Sequence, residues 1–152
     1  MRQEKMKKII ERNARETRFK NEFYIFEESA EVVAEEKGLK VIYPKNNELF
    51  IDIDDEDQLD GFGRRINDLL ETFENNFFNG LDIIKKESSS GAPHYHIVVS
   101  LYKDDEAIVL NDWQRVCLQF LLCSDPIKET LSVYRILAGV KNPSILFEKK
   151  ED

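Results

Sequence analysis

The 152-residue sequence predicts an α+β domain, an antiparallel sheet with helices on one face, and three observations lead there. From Leu49 onward, short β-rich and amphipathic segments follow in the order strand, helix, strand, strand, helices, strand. Two of the strands, "LDIIKKE" and "HYHIVVSLY", flank the turn-forming loop "SSSGAP" and so read as a hairpin. Between the first and second strands, Leu59, Phe62, Ile66, Leu69, Leu70 and Phe73 recur at helical spacing, enough to bury one face.

Taken in order, residues 3–17 read as a charged helix and "EFYIFEESAEVVAEEKG" as an amphipathic one closed by Gly38. "LKVIYP" is a short strand, "KNN" a turn and "LFIDID" the next strand. A helix over 57–75 ends before the Asn79–Gly80 turn, and the hairpin follows. Another helix starts at an Asn111 cap and runs through "DWQRVCLQFLL", with Trp113, Phe120, Leu121 and Leu122 expected on its core face. A second begins at Pro126, runs through "IKETLSVYRIL" and stops at Gly139, and "SILFEK" is the last strand.

This is the ferredoxin-like βαββαβ plan, shared by RNA-recognition domains and by the palm of many nucleotidyl transferases, preceded here by N-terminal helices. In that plan the first and third strands are central neighbours. "LFIDID" is therefore expected beside "HYHIVV".

The length suits a single domain, with 1–38 as a helical segment and 39–152 as the core that carries the chemistry. A hydrophobic share of 41% argues against a disordered chain. The charged start "MRQEKMKKII" and the short run "VCLQFLLC", interrupted by Gln119, fit neither a signal peptide nor a membrane span. A cytoplasmic protein with no membrane partner is expected. Cys117 and Cys123 form neither a CxxC pair nor a disulfide framework and are expected to be buried apolar fillers.

The net charge of −8 argues against a surface that coats nucleic acid. Residues 1–20 nevertheless hold eight Lys or Arg against three Glu, a net of +5, which leaves −13 on the remainder. A basic arm on an acidic body suits a chain that grips a phosphate backbone while concentrating cations, although a solvated helix with internal ion pairs reads equally well.

Strand alternation turns Asp52 and Asp54 to one face and Leu49, Ile51 and Ile53 to the other, toward the helices. By the same rule His94 and His96, the only histidines, fall on one face. Two like charges at adjacent same-face positions repel unless a cation lies between them, and hard carboxylate oxygens suit Mg²⁺ or Mn²⁺. Asp55, Glu56 and Asp57 read instead as a helix N-terminal turn, where acids complement the dipole. The loop Ser88–Pro93 adds hydroxyls and Gly91 beside Lys85 and Lys86, a set that fits either a phosphate cradle or an ordinary hairpin turn.

The combination "FIDID", helix, "SSSGAPHYHIVV" resembles the archaeo-eukaryotic primase superfamily of primase-polymerases, found also in phages and plasmids. Its first motif, a strand with two acids one residue apart, is matched by Asp52 and Asp54. Its second, a Ser-containing loop leading to a strand-borne His, is matched by Ser88–Ser90 with His94 or His96. Its third, an Asp after an apolar segment, has its best candidate in Asp125 of "LLCSDP".

The resemblance implies that Asp52, Asp54 and Asp125 are catalytic metal ligands for Mg²⁺ or Mn²⁺. It also implies that Ser88, Ser90, Gly91, His94 and His96 hold the triphosphate of a nucleoside triphosphate. Arg135 is a further candidate for phosphate or nucleic acid, or else for a surface salt bridge. The implied partners are a single-stranded DNA template with its primer, and a helicase or other replication protein. The family commonly adds a zinc-binding insertion and accessory domains, whereas this chain has no Cys/His cluster and would be a minimal catalytic core.

Two alternatives stay open. "PHYHIVV" also looks like the His-hydrophobic-His signature of rolling-circle initiators and relaxases, in which Tyr134 would be the nucleophile that nicks single-stranded DNA. A non-catalytic nucleic-acid-binding module on the same fold is the other, and it would bind indifferently to divalent metal.

Overall fold

Leu49, Ile51 and Ile53 alternate into the core and are almost wholly buried, each contributing about 1.5–3 kcal/mol of burial free energy, and the rest of the architecture is arranged around them. The computed structural model describes residues 3–5, 7, 27–73, 76–88 and 90–150. The elements are α1 (Glu27–Glu36), β1 (Leu39–Ile42), β2 (Glu48–Ile53), α2 (Glu56–Phe73), β3 (Gly80–Glu87), β4 (Tyr95–Lys103), β5 (Glu106–Ala107), α3 (Asp112–Leu121), α4 (Pro126–Leu137) and β6 (Leu146–Lys149). Residues 3–5 and 7 are helical, while the rest of the expected 3–17 helix and its basic arm lies outside the described residues.

The class is α+β with antiparallel sheets. In the larger sheet the order is β2–β4–β3, with the two-residue β5 paired to the end of β4. The first and third strands of the expected plan are thus neighbours, with Asp52 opposite His96 and Ile51 opposite Ile97. Phe62 and Ile66 of α2 and Leu118 and Leu122 from α3 and its end pack in one core with Ile51 of β2 and with Ile97, Val99 and Leu101 of β4.

The last strand departs from the ferredoxin-like plan. β6 pairs with β1 in a separate two-stranded sheet, Leu39 opposite Lys149 and Ile42 opposite Leu146. The edge of β2 that a fourth strand would occupy is taken by α3, α4 and the elbow between them. Arg115 Nε donates to the Glu48 carbonyl at 2.9 Å, and Gln119 Oε1 accepts from Phe50 N–H at 2.8 Å. Lys128 Nζ donates to the Phe50 carbonyl at 3.1 Å, Ser124 Oγ accepts from Asp52 N–H at 3.0 Å, and Asp125 N–H donates to the Asp52 carbonyl at 2.8 Å. Backbone groups that a strand would have paired are satisfied one at a time, so the edge has no need of β6.

That elbow needs unusual local geometry. Cys123 sits at φ +65°, in the left-handed region, and a Cβ on Gly61 would meet its Sγ at 2.9 Å, so only glycine lets α2 approach this closely. Cys123 is half-buried and Cys117 exposed, so neither is the buried filler that their apolar surroundings in sequence suggest. Trp113, Phe120 and Leu121 are likewise exposed, and only Leu122 reaches the core. The inward face of α3 is instead Arg115, Val116, Leu118 and Gln119, two of which serve the β2 edge rather than an apolar layer. The Asn111 cap is present, its side chain accepting from Gln114 N–H at 2.8 Å.

Candidate metal centre and cavity

Asp52 lies within β2 and Asp54 one residue beyond its end, on the face opposite the Leu49–Ile51–Ile53 core. Asp54 N–H is fixed by Gln58 Oε1 at 2.8 Å, and the Gln58 amide also donates to the Cys123 carbonyl at 2.9 Å, tying the strand end to α2 and to the elbow. Asp125 comes from 71 positions later in sequence, delivered by its own backbone bond to Asp52. One carboxylate oxygen from each of Asp52, Asp54 and Asp125 lies within 4.8 Å of the others, a spacing at which the three could hold a metal ion.

Asp125 also caps α4, its side chain accepting from Ile127 N–H at 3.1 Å. The helix-start reading and the ligand reading of this residue are compatible, because a carboxylate has a second oxygen. Asp55 and the acids after it behave as a helix start alone: Asp55 Oδ1 accepts from Gln58 N–H, and Glu56 and Asp57 fill the first turn.

Burial above all pushes the Asp52 carboxyl up to about 7; Lys128 opposes the shift, and Asp54, Asp125 and Glu129 add to it. Burial also raises Asp125, with Asp54 and Glu129 contributing, against the Ile127 N–H bond and Lys128. Crowded carboxylates that resist ionisation are the electrostatic condition a divalent cation relieves. On distances and charge together, this donor set fits one.

Because Asp52 N–H and C=O both face away from β4, the Asp52–His96 pair is a non-hydrogen-bonded one, in which side chains come closest. His96 Nε2 is 3.7 Å from Asp52 Oδ1, too long for a hydrogen bond. Burial, with Lys128 adding, holds His96 down at about 4, against a smaller opposing effect of Asp54, so the imidazole is neutral at pH 7 and the contact is no ion pair. His94 precedes β4 and stands 3.4 Å from Asp54 through Nδ1. Two carboxylates and two imidazoles thus share one surface.

That surface floors a cavity of about 720 Å³, whose wall includes Ser88, Ser90, Lys128 and Arg135 besides the acids and histidines. Leu131 of α4 and Leu146 and Phe147 of β6 also line it, so the acids share their cavity with apolar side chains from outside the larger sheet. Gly91 does not line it. Gly91 sits at φ +78° and shapes the turn, its N–H donating to the Ser88 carbonyl and its carbonyl accepting from His94 N–H, both at 2.9 Å.

Arg135 is buried, and its guanidinium donates to the Pro143 carbonyl at 3.1 Å. Tyr134 is 2% exposed and not on the cavity wall. The sequence reading missed Lys128, whose ammonium touches the Phe50 carbonyl and lies 3.3 Å from Glu129 Oε2. It also missed Gln58, Gln119 and Ser124. Lys128 stands three residues after Asp125, one helical turn on, and that spacing was the available signal.

No helix among the described residues is long and apolar enough to cross a membrane. Neither protein-family models, nor curated proteins, nor solved structures give a match to the chain.

Proposed function

We propose that this chain is a metal-dependent nucleotidyltransferase of the primase-polymerase type, acting on nucleoside triphosphates with a single-stranded DNA template and primer. One observation carries the reading: residues far apart in sequence, Asp52 and Asp54, Ser88 and Ser90, His94 and His96, and Asp125, line a single cavity. In it the three carboxylates lie within 4.8 Å of one another.

Asp52, Asp54 and Asp125 would hold Mg²⁺ or Mn²⁺, which supplies Lewis acidity for the attacking oxygen and for the charge developing on the phosphoryl group. Ser88 and Ser90 offer hydroxyl donors, and neutral His96 offers one ring N–H, to an incoming triphosphate. Lys128 and Arg135 bring positive charge to the same cavity. The primer 3′-hydroxyl, or the first nucleotide in priming, would attack the α-phosphate, and pyrophosphate would leave. The chain's contribution is positioning and charge, the main currency of phosphoryl transfer. A helicase or other replication protein would present the template.

Nicking through Tyr134 is less well supported, because its hydroxyl belongs to a buried side chain away from the cavity wall. A metal-indifferent binding module leaves the costly carboxylate cluster without a purpose.

The test is incubation with a primed single-stranded template, Mn²⁺ and labelled nucleotides, comparing the intact chain with Asp54→Asn. Template-dependent extension by the intact chain alone is expected. Absence of incorporation, or a DNA strand covalently attached at Tyr134, would overturn the reading.

A further inference from the structure

β3 is the outer edge of the β2–β4–β3 sheet. Since the Asp52–His96 pair is non-hydrogen-bonded, alternation along β4 turns the backbone of His96, Val98 and Ser100 toward β3, where they meet Lys86, Ile84 and Asp82. The N–H and C=O groups of Leu81, Ile83, Lys85 and Glu87 therefore point outward, and no strand among the described residues pairs with them. An eight-residue edge with Ile83 43% and Ile84 56% exposed is a template for another strand.

We propose that this edge pairs antiparallel with the same edge of a second copy of this chain, about a two-fold axis at Ile84. In that register Ile84 meets its own mate in a non-hydrogen-bonded pair, where side chains approach most closely. Asp82 faces Lys86 of the second copy on the same sheet face, and the symmetry repeats that opposite-charge pair on the other side of the axis. Ile83 exchanges backbone bonds with Lys85 of the other copy, and Leu81 with Glu87.

Neighbouring registers are worse. An axis at Lys85 sets that lysine against itself, and an axis at Ile83 places Asp82 opposite Ile84 and Lys86 opposite Gly80, losing both ion pairs. The stretch "GLDIIKKE" is thus self-complementary in one register only, the requirement for an isologous contact. The axis is two strands from β2, so the pairing leaves the three aspartates uncovered.

The experiment combines light scattering of the intact chain from micromolar to sub-millimolar concentration with oxidative cross-linking in a Cys117→Ser background, which removes the exposed native thiol. A concentration-dependent dimer is expected, with Ile84→Cys giving a covalent dimer and Ile83→Cys, paired to Lys85 rather than to itself, giving far less. Asp82→Lys should weaken dimerisation by roughly tenfold or more, and Asp82→Lys with Lys86→Asp should restore it. Far-UV circular dichroism of each variant reports its fold separately. A chain that stays monomeric throughout overturns the proposal and leaves the edge to a strand of a different protein; cross-linking through Ile83→Cys as readily as through Ile84→Cys overturns the register.

Discussion

The Asp125 N–H donates to the Asp52 carbonyl at 2.8 Å, so one carboxylate of the cluster is carried to another by a backbone bond and not by side-chain packing. Ser124 completes the grip, accepting from Asp52 N–H while itself nearly fully buried. Ser124→Ala leaves a donor unpaired in a dry place and should cost about 1–3 kcal/mol in denaturant unfolding. It should also weaken Mn²⁺ binding, because Asp52 loses one of the two bonds that tie it to the elbow carrying Asp125. Unchanged stability and unchanged metal affinity would show that the elbow does not position the cluster.

Asp52 is raised from 3.8 to about 7 in the fold, so the folded chain keeps a proton that the unfolded chain has already released. Stability from this group is fully present below 3.8 and is lost as pH rises through about 7. Protons and a divalent cation compete for the same oxygens. Mn²⁺ should therefore raise the melting temperature more at about pH 8 than at about pH 6. Without metal at the higher pH, Asp52→Asn should be more stable than the intact chain by roughly 0.5–2 kcal/mol. An asparagine variant that melts earlier would contradict the electrostatic account.

Lys128 lowers the pKa of Asp52 and of His96 from a partly buried position. Lys128→Met removes that positive charge while keeping most of the apolar stem. The acid limb of Mn²⁺ binding, followed by calorimetry across pH, should then move to higher pH. A profile that stays in place would remove Lys128 from the electrostatics of the cluster.

His96 is held at about 4, so its ring should stay neutral throughout the range in which ordinary histidines titrate. Proton NMR of the metal-free chain should show no His96 titration between about pH 5.5 and pH 8. A midpoint near 6.5 would mean that the ring is better solvated than its place beside Asp52 implies.

Trp113 and Phe120 protrude from α3 and are not part of the core. Trp113→Ala should change unfolding free energy by no more than about 0.5 kcal/mol, where a core aromatic would cost about 3–5. Ile51→Ala, in the buried row of β2, is the internal comparison and should cost about 2–5 kcal/mol.

Much of this was legible from short-range pattern. The alternation in "LFIDID" separates Asp52 from Ile51, the hairpin around "SSSGAP" follows from turn chemistry, and the βαββαβ plan puts "LFIDID" beside "HYHIVV", where the structure sets Asp52 opposite His96. The outward set of Trp113, Cys117, Phe120 and Leu121 was not legible, because the side of α3 that faces inward is fixed by Arg115 and Gln119 reaching the β2 edge. Composition ranks those two as surface residues, whereas unpaired strand carbonyls and amides rank them as partners.

By itself the sequence determined what covalent order and side-chain period can determine: the strand and helix segments, the hairpin, and the acids sharing a strand face. Only the tertiary structure decided that β6 would leave the main sheet for β1, that an elbow would take its place, and that Asp125 would arrive beside Asp52. The physical reason is that an open strand edge can be satisfied by another strand or by scattered side-chain and backbone donors. Which of the two wins depends on packing across the whole chain and on no local pattern.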